Sequence, residues 1–404
     1  MSLPELPITD LTRPDCDNWL GYKPCAEQKA QQLANCAGCV RFEPGPESIT
    51  VNVQPYDPAI LEDAKDVGIV EMGGLGSILR TSAVSRAIRQ INSRAGIHWF
   101  THSRGADLLR YVPGVIPVDV EANSVEQYGD LVSKLDVLVN FESSAQAKPV
   151  VAQAQRVAGY ALNKQGKFYG VRPHADRFQR LQIDDAFRLG NQQTMQEVLL
   201  DSVGLGHIEP WYDVALTESN RVEAENIVDA AFDGKPPTEL LGVNIGTSVN
   251  GRFRRWPTES FVELTKTLAA SYPEQGIMVL SGPEDDEVRT QFTEKVVAPA
   301  PNVAILPNRV EIGNFIGILS KLSVLVTSNT FALHAARSQD LPVVTFEGPL
   351  PPQEMELGTR DILLGPKLDC GPCYSKCTQL TPAKCMYEIK PSEVAEQVDS
   401  LIRN

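Results

Sequence analysis

Apolar positions along this chain fall into short buried-type runs that alternate with helical stripes, beginning at Val67. The runs Val67–Met72, Ile97–Thr101 and Asp136–Phe141 are bounded by turn formers and rich in β-branched or aromatic residues, so they predict strands. Ile78–Ser93 and Ser144–Gly159 carry apolar residues at helical spacing and predict helices. Two further helical stretches, Thr194–Val203 and Asn220–Phe232, lead into Gly234-Lys235-Pro236-Pro237, whose residue types predict a linker. The alternation then restarts, with strands at Leu240–Ile245, Ile277–Ser281, Val324–Thr327 and Val343–Phe346. Between and after them, Thr258–Ser271, Glu284–Val297, Ile312–Leu319 and Thr330–Arg337 predict helices. An amphipathic helix, Pro391–Ile402, closes the chain and opens with proline and acidic residues, as helix N-termini favour.

Strand–helix alternation implies a parallel sheet with helices on both faces. Two successive series in 404 residues imply an α/β protein with two Rossmann-like domains, since one core rarely organises so long a chain. The expected divisions are a cysteine-bearing segment at 1–55 with a short helix near Ala26–Leu33, a first domain at 56–235, and a second at 236–404 with a cysteine loop at 370–385. Hydrophobic residues at 42% against 22% charged are enough to build such cores. A net charge of −14 argues against a protein that grips nucleic acid or an anionic membrane, both of which call for a dense basic field. No run reaches the ~18–20 apolar residues of a membrane span, and Met1 to Thr12 has neither a basic flank nor an apolar stretch, so a cytoplasmic location is expected.

Four elements that carry chemistry stand at the ends of expected strands. Glu71-Met72-Gly73-Gly74-Leu75-Gly76-Ser77 links a strand to a helix, where glycines allow close backbone approach and a helix N-terminus offers free N–H groups. It is not a Walker loop, because no Gly-Lys-Ser/Thr follows. Gly246-Thr247-Ser248 runs on to Arg252, Arg254, Arg255, Trp256 and Pro257; hydroxyls and guanidinium forks at a strand-to-helix turn suit a diphosphate. Ser281-Gly282-Pro283-Glu284 and Ser328-Asn329-Thr330-Phe331-Ala332-Leu333-His334 follow two later strands. Open α/β sheets bind their ligands at these carboxyl ends. A dinucleotide oxidoreductase is disfavoured, because the first turn lacks a full Gly-x-Gly-x-x-Gly with the following acidic residue.

The eight cysteines form two sets. Cys370-x2-Cys373-x3-Cys377-x7-Cys385 has spacing that lets four thiolates reach one tetrahedral ion, and Cys16, Cys25, Cys36 and Cys39 form a looser set that also contains a close pair. Zinc and iron both suit four sulfurs, and a closed four-thiolate site is structural rather than catalytic. Reduced thiols, a redox pair and pairing between the two sets remain open.

In order and spacing, Gly76-Ser77-Ile78-Leu79-Arg80-Thr81, Gly246 through Trp256-Pro257, Ser281-Gly282-Pro283-Glu284, Thr330 with His334-Ala335-Ala336, and Cys370-Gly371-Pro372-Cys373 resemble bacterial heptosyltransferases of glycosyltransferase family 9. The resemblance runs from about Val67 to the C-terminus. It implies two facing Rossmann-like domains, the GT-B fold, and inverting transfer of a sugar from a nucleotide-sugar donor such as ADP-heptose to a lipopolysaccharide-type or protein acceptor. It implies no catalytic metal and no nucleic acid, and it leaves room for peripheral contact with the inner membrane and for a homo-oligomer. By the same resemblance Thr247 or Ser248 meets the donor phosphates, Glu284 faces the ribose or base, and Thr330 and His334 lie near diphosphate and sugar. Gly76 and Asn329 belong to the same donor set, and Arg254 stands where the family has lysine.

The departures matter equally. The family's Gly-Asp, whose aspartate is the general base, is here Gly76-Ser77, and its Asp-Thr-Gly is Asn329-Thr330-Phe331. Serine at its ordinary pKa cannot take the acceptor proton unaided. Glu71 stands nearby at a position that is commonly lysine, which makes it a candidate displaced base, with Glu142 the other candidate. The alternative is a protein that kept the fold, lost the base, and serves as a nucleotide-sugar sensor or scaffold.

Overall fold

The computed structural model describes residues 5–6, 16, 18–19, 25–33, 35–40, 49–50, 53–163, 165–296, 301–366, 373 and 382–403. The chain divides into two compact units, Met1–Asp213 and Val214–Asn404.

A two-residue antiparallel pair, β1 (Glu5–Leu6) with β2 (Ile49–Thr50), precedes the first large sheet. That sheet contains β3 (Asp66–Val70), β4 (Gly96–Thr101), β5 (Val115–Asp119), β6 (Val137–Asn140), β7 (Val157–Leu162) and β8 (Phe168–Gly170), ordered β5-β4-β3-β6-β7-β8. Every pair is parallel except β7 with β8. The second unit repeats the plan with β9 (Leu240–Asn244), β10 (Gly276–Leu280), β11 (Val303–Ile305), β12 (Val324–Thr327), β13 (Val343–Phe346) and β14 (Ile362–Leu364), ordered β11-β10-β9-β12-β13-β14 and parallel throughout. Both orders are the 3-2-1-4-5-6 of a doubly wound sheet. In register, Val67 lies opposite Ile97 and Val137, and Leu241 opposite Ile277 and Val324. The central strands β6, β9, β10, β12 and β13 are buried at every position, as helices on both faces require.

This continuous burial accounts for one misplaced element. The expected helix Ser144–Gly159 is only a four-residue helix, Lys148–Val151, followed by β7. Val157–Leu162 is apolar on both faces, so it has no alternation to distinguish a strand from a buried helix. The sequence reading did not include the edge strands β5, β8, β11 and β14, of which the last three have three residues each. The helix Glu218–Ala231 packs on Ile312–Leu319 of the second unit, where Asn220 donates to Asn314 at 2.9 Å, so the division precedes the expected linker at 234–237.

The cysteine-bearing segment is held on the first unit. Trp19 donates its indole N–H to the Phe168 carbonyl, Gln28 donates to Ile183 O, and Lys167 donates to Cys16 O. Cys25 caps the helix Ala26–Ala30 by accepting the Gln28 N–H. Gln31 donates to Cys39 Sγ and accepts from Val40 N. Among the described residues no three His, Cys, Asp or Glu side chains gather as a metal-ligand group. Of the C-terminal set, Cys370 and Cys377 lie outside the described residues, whereas Cys385 is buried in the core of the second unit.

Candidate functional site

In a doubly wound sheet the connections diverge at the central pair of strands, which opens a crevice at their carboxyl ends. In the first unit that pair is β3 and β6. The chain leaves β3 through Glu71 and enters the helix Leu75–Ile91 at Gly74; it leaves β6 through Glu142. Glu71 is buried and accepts the Gly73 N–H at 2.8 Å. Glu142 accepts from Met72 N at 3.2 Å with one oxygen and from Ser143 N and Ser144 N at 2.8 Å with the other. The two carboxylates therefore brace the same turn.

Burial, and after it the Glu142 charge, push the Glu71 carboxyl up to about 7, against the opposing pulls of the Gly73 N–H and Arg80. A side chain on Gly73 would meet Glu71 Oε1 at 2.6 Å and Ser77 Oγ at 3.5 Å, so glutamate and serine converge on one side of this glycine. His102, after β4, fixes the turn from its other side. Its Nδ1 accepts the Gly105 N–H and its Nε2 lies 3.0 Å from the Gly73 carbonyl, a pattern satisfied by the tautomer protonated at Nε2. Gly76 is the second residue of the helix and contributes backbone only.

In the second unit the central pair is β9 and β12, and the other three expected elements lie at the carboxyl ends of this sheet's strands. Thr247 follows β9; its hydroxyl is buried and has no hydrogen-bond partner among the described residues. A side chain on Gly251 would lie 2.5 Å from Thr247 Oγ1 and 3.0 to 3.1 Å from Arg254 Nε and an Nη, so hydroxyl and guanidinium meet over a space that only glycine leaves open. Ser248 is exposed at the start of the 3-10 turn Val249–Arg254. Trp256 plugs this loop into the core: its ring is fully buried against Phe261 and Phe346, its indole N–H donates to Ile389 O, and its backbone N–H donates to Ser328 Oγ.

Glu284 accepts the Val249 N–H at 3.1 Å, which joins the turn after β10 to the turn after β9. The Thr330 hydroxyl faces the sheet, 3.3 Å from Asn244 Nδ2 and 3.2 Å from Thr327 Oγ1. Asn329 is buried beside it. Phe331 stacks on Phe315 with ring centroids 6.0 Å apart. His334 is buried on the helix Phe331–Ser338, with Nδ1 3.5 Å from Glu356.

Three contributors escaped the sequence reading. Asp285 is buried and bonds two turns at once. Glu356 holds a left-handed backbone (φ 48°) beside His334, and His102 holds the first turn. The available signals were an acid directly after Glu284 and a histidine directly after the β4 run, both too common to single out.

The family model for glycosyltransferase family 9 (heptosyltransferase) matches residues 143–384, more than half of the chain. The chain belongs to this family. Lipooligosaccharide heptosyltransferase 2 of Campylobacter jejuni is 24% identical over 172 residues, 41% of this chain, and the chain thus spans about half (52%) of that relative's length. A family 9 glycosyltransferase from Veillonella parvula shares the fold with a TM-score of 0.66 at 18% identity, covering 87% of this chain and 99% of that one. The ADP-heptose lipopolysaccharide heptosyltransferase II of E. coli shares it at 0.62 with 15% identity, covering 84% of this chain and 98% of the other. The two doubly wound units are thus the GT-B architecture of family 9. The Glu71–Ser77 turn precedes the stretch that the family model matches.

Proposed function

We propose that this family 9 protein is an inverting glycosyltransferase that moves a sugar, heptose from ADP-heptose, to a lipopolysaccharide-type glycolipid or a protein acceptor in the cytoplasm. The second unit (236–404 with its preceding helix) takes the nucleotide sugar, and the first (56–213) takes the acceptor. The observation that carries the donor assignment is the buried Thr247 hydroxyl, without a partner among the described residues, which faces Arg254 across Gly251. An orphaned hydroxyl beside a guanidinium suits a phosphate oxygen, which accepts from both.

In the reaction the acceptor hydroxyl attacks the anomeric carbon, its proton passes to a base, and the bond from that carbon to the diphosphate oxygen breaks. Glu71 is the base in this reading. Its carboxyl sits at about 7, near the optimum for proton transfer at neutral pH, and Ser77 stands beside it without a means of its own to accept a proton. Arg254 meets the charge that develops on the departing diphosphate. Asn329 and the Phe331–Phe315 pair shape the sugar end, next to His334.

The reading includes a structural zinc or iron on the C-terminal cysteines, since four thiolates suit either ion, and Cys385 is fixed in the core below the Arg252–Trp256 loop, where Ala383 N–H donates to Phe253 O. Metal analysis of the purified protein and of a Cys373→Ser variant tests it: equal metal in both removes this site.

The decisive experiment is nucleotide release from a panel of sugar nucleotides, ADP-heptose included, with and without a bacterial envelope extract. Release that requires the extract establishes transfer and names the donor. Donor binding by calorimetry without release assigns the protein instead to sensing or scaffolding and makes Ser77 the explanation.

A further inference from the structure

Asp285 does not appear in the donor set that the family resemblance gives, yet it is a buried carboxylate that engages two turns of the second unit's crevice. It lies in the turn after β10, 4% exposed, and reaches across to the turn after β9. Oδ1 accepts the Thr247 N–H at 3.0 Å and Oδ2 accepts the Gly282 N–H at 2.8 Å. Gly246 lies so close that a Cβ there would fall 2.2 Å from Oδ2, and its backbone is not in the left-handed region. The glycine after β9 is therefore required by a carboxylate inside the protein. Arg255 supplies the nearby positive charge, and Glu284 the nearby negative one.

This arrangement has a consequence for ligand binding. In many nucleotide-binding turns backbone N–H groups at the strand end grip the phosphate. Here the Thr247 and Gly282 N–H groups already donate to Asp285, so they are not available as they stand. What the Thr247 residue retains is its hydroxyl, buried and without a partner among the described residues, and its direction follows from the backbone that Asp285 holds.

We propose that Asp285 is a positioning residue for the donor diphosphate: its carboxylate clamps the turns after β9 and β10 together and so aims the Thr247 hydroxyl, with Arg254, at a phosphate oxygen. The proposal rests on the nucleotide-sugar reading of this crevice. A carboxylate is needed because both contacts are accepted bonds. Asparagine in its place can accept only one and turns an N–H₂ toward the other donor.

The test uses ADP binding by calorimetry to the full chain, wild type against Asp285→Asn, Thr247→Val and the double variant, with amide hydrogen exchange and thermal melting on each. Asp285→Asn should weaken ADP about tenfold, the loss of one charge-assisted bond's effect on placement. It should also speed exchange at Thr247 and Gly282. Because Asp285 acts through the hydroxyl, adding Asp285→Asn to Thr247→Val should cost little more than Thr247→Val alone, a coupling that mere loss of stability would not produce. Full additivity of the two changes, or unaltered ADP affinity in a folded Asp285→Asn protein, overturns the proposal. If the wild type binds neither ADP nor another nucleoside diphosphate, the nucleotide-sugar reading falls, and slow wild-type exchange at both amides that Asp285→Asn abolishes still upholds the clamp; unchanged exchange removes it as well.

Discussion

The two units share one strand order and the same central pair of strands, yet the chemistry at their carboxyl ends is opposite. After β3 and β6 stand two glutamates that hold backbone N–H groups, and one of them is pressed by burial and by its neighbour toward neutrality. After β9 stand a hydroxyl and an arginine loop, clamped by one aspartate from the neighbouring turn after β10. The fold sets where a ligand can lie, and the residues at the strand ends decide what it can be. An acidic turn suits proton removal from an acceptor; a hydroxyl–guanidinium turn suits an anionic leaving group. The internal acid marks the difference most plainly: burial and Glu142 push Glu71 up to about 7, which suits the base role proposed for it, whereas Asp285 has two N–H groups to hold it in place.

The sharpest way to break this comparison is Glu71→Gln, which should lower turnover by about 10²- to 10⁴-fold with donor affinity unchanged, the range expected for losing a general base. Turnover assays beside calorimetry decide it, and wild-type activity in the variant would leave the first turn without a chemical role. In the wild type, turnover should rise with pH through about 7, as Glu71 ionises. Stability should move the other way. With its folded pKa raised from the ordinary 4.5 to about 7, the Glu71 carboxyl adds stability that is fully present below about pH 4.5 and is lost as pH rises through about 7. Denaturation of Glu71→Gln should lack that share of the pH dependence if the assignment holds.

Next in size is Trp256→Ala. Removing a fully buried indole wedged between Phe261 and Phe346 should cost about 3–5 kcal/mol of the second unit's stability and loosen the arginine loop. Urea titration checks the first effect and nucleotide affinity the second. The smallest change is Thr247→Val, which keeps the shape and removes only the orphaned hydroxyl; nucleotide affinity should fall about tenfold with the melting temperature held or raised, since a buried group without a partner is also lost. Glu71→Gln and Thr247→Val thus separate the two turns: one should affect turnover without binding, the other binding first.

Much of this was legible in the chain. The helices Thr258–Ser271, Ile312–Leu319 and Pro391–Ile402 and the strands Val324–Thr327 and Val343–Phe346 have their expected bounds, because local periodicity and flanking residues suffice for them. The strand-end turns were equally visible, since glycine, hydroxyl and arginine clusters after apolar runs mark ligand-facing loops in any doubly wound sheet. The β7 run was read as helix because burial on both faces erases the period that would identify it.

What the sequence by itself determined, then, is the alternation, the doubling of the domain and the places where chemistry collects, since each follows from interactions within a few residues. Only the tertiary structure decided the pairings: Glu142 with the turn after β3, Asp285 with the turn after β9, and Glu356 with His334. These contacts join residues brought together by strand order and by burial. The shift of Glu71 to about 7 arises from that burial and from a carboxylate 71 positions further along the chain, which no local pattern encodes.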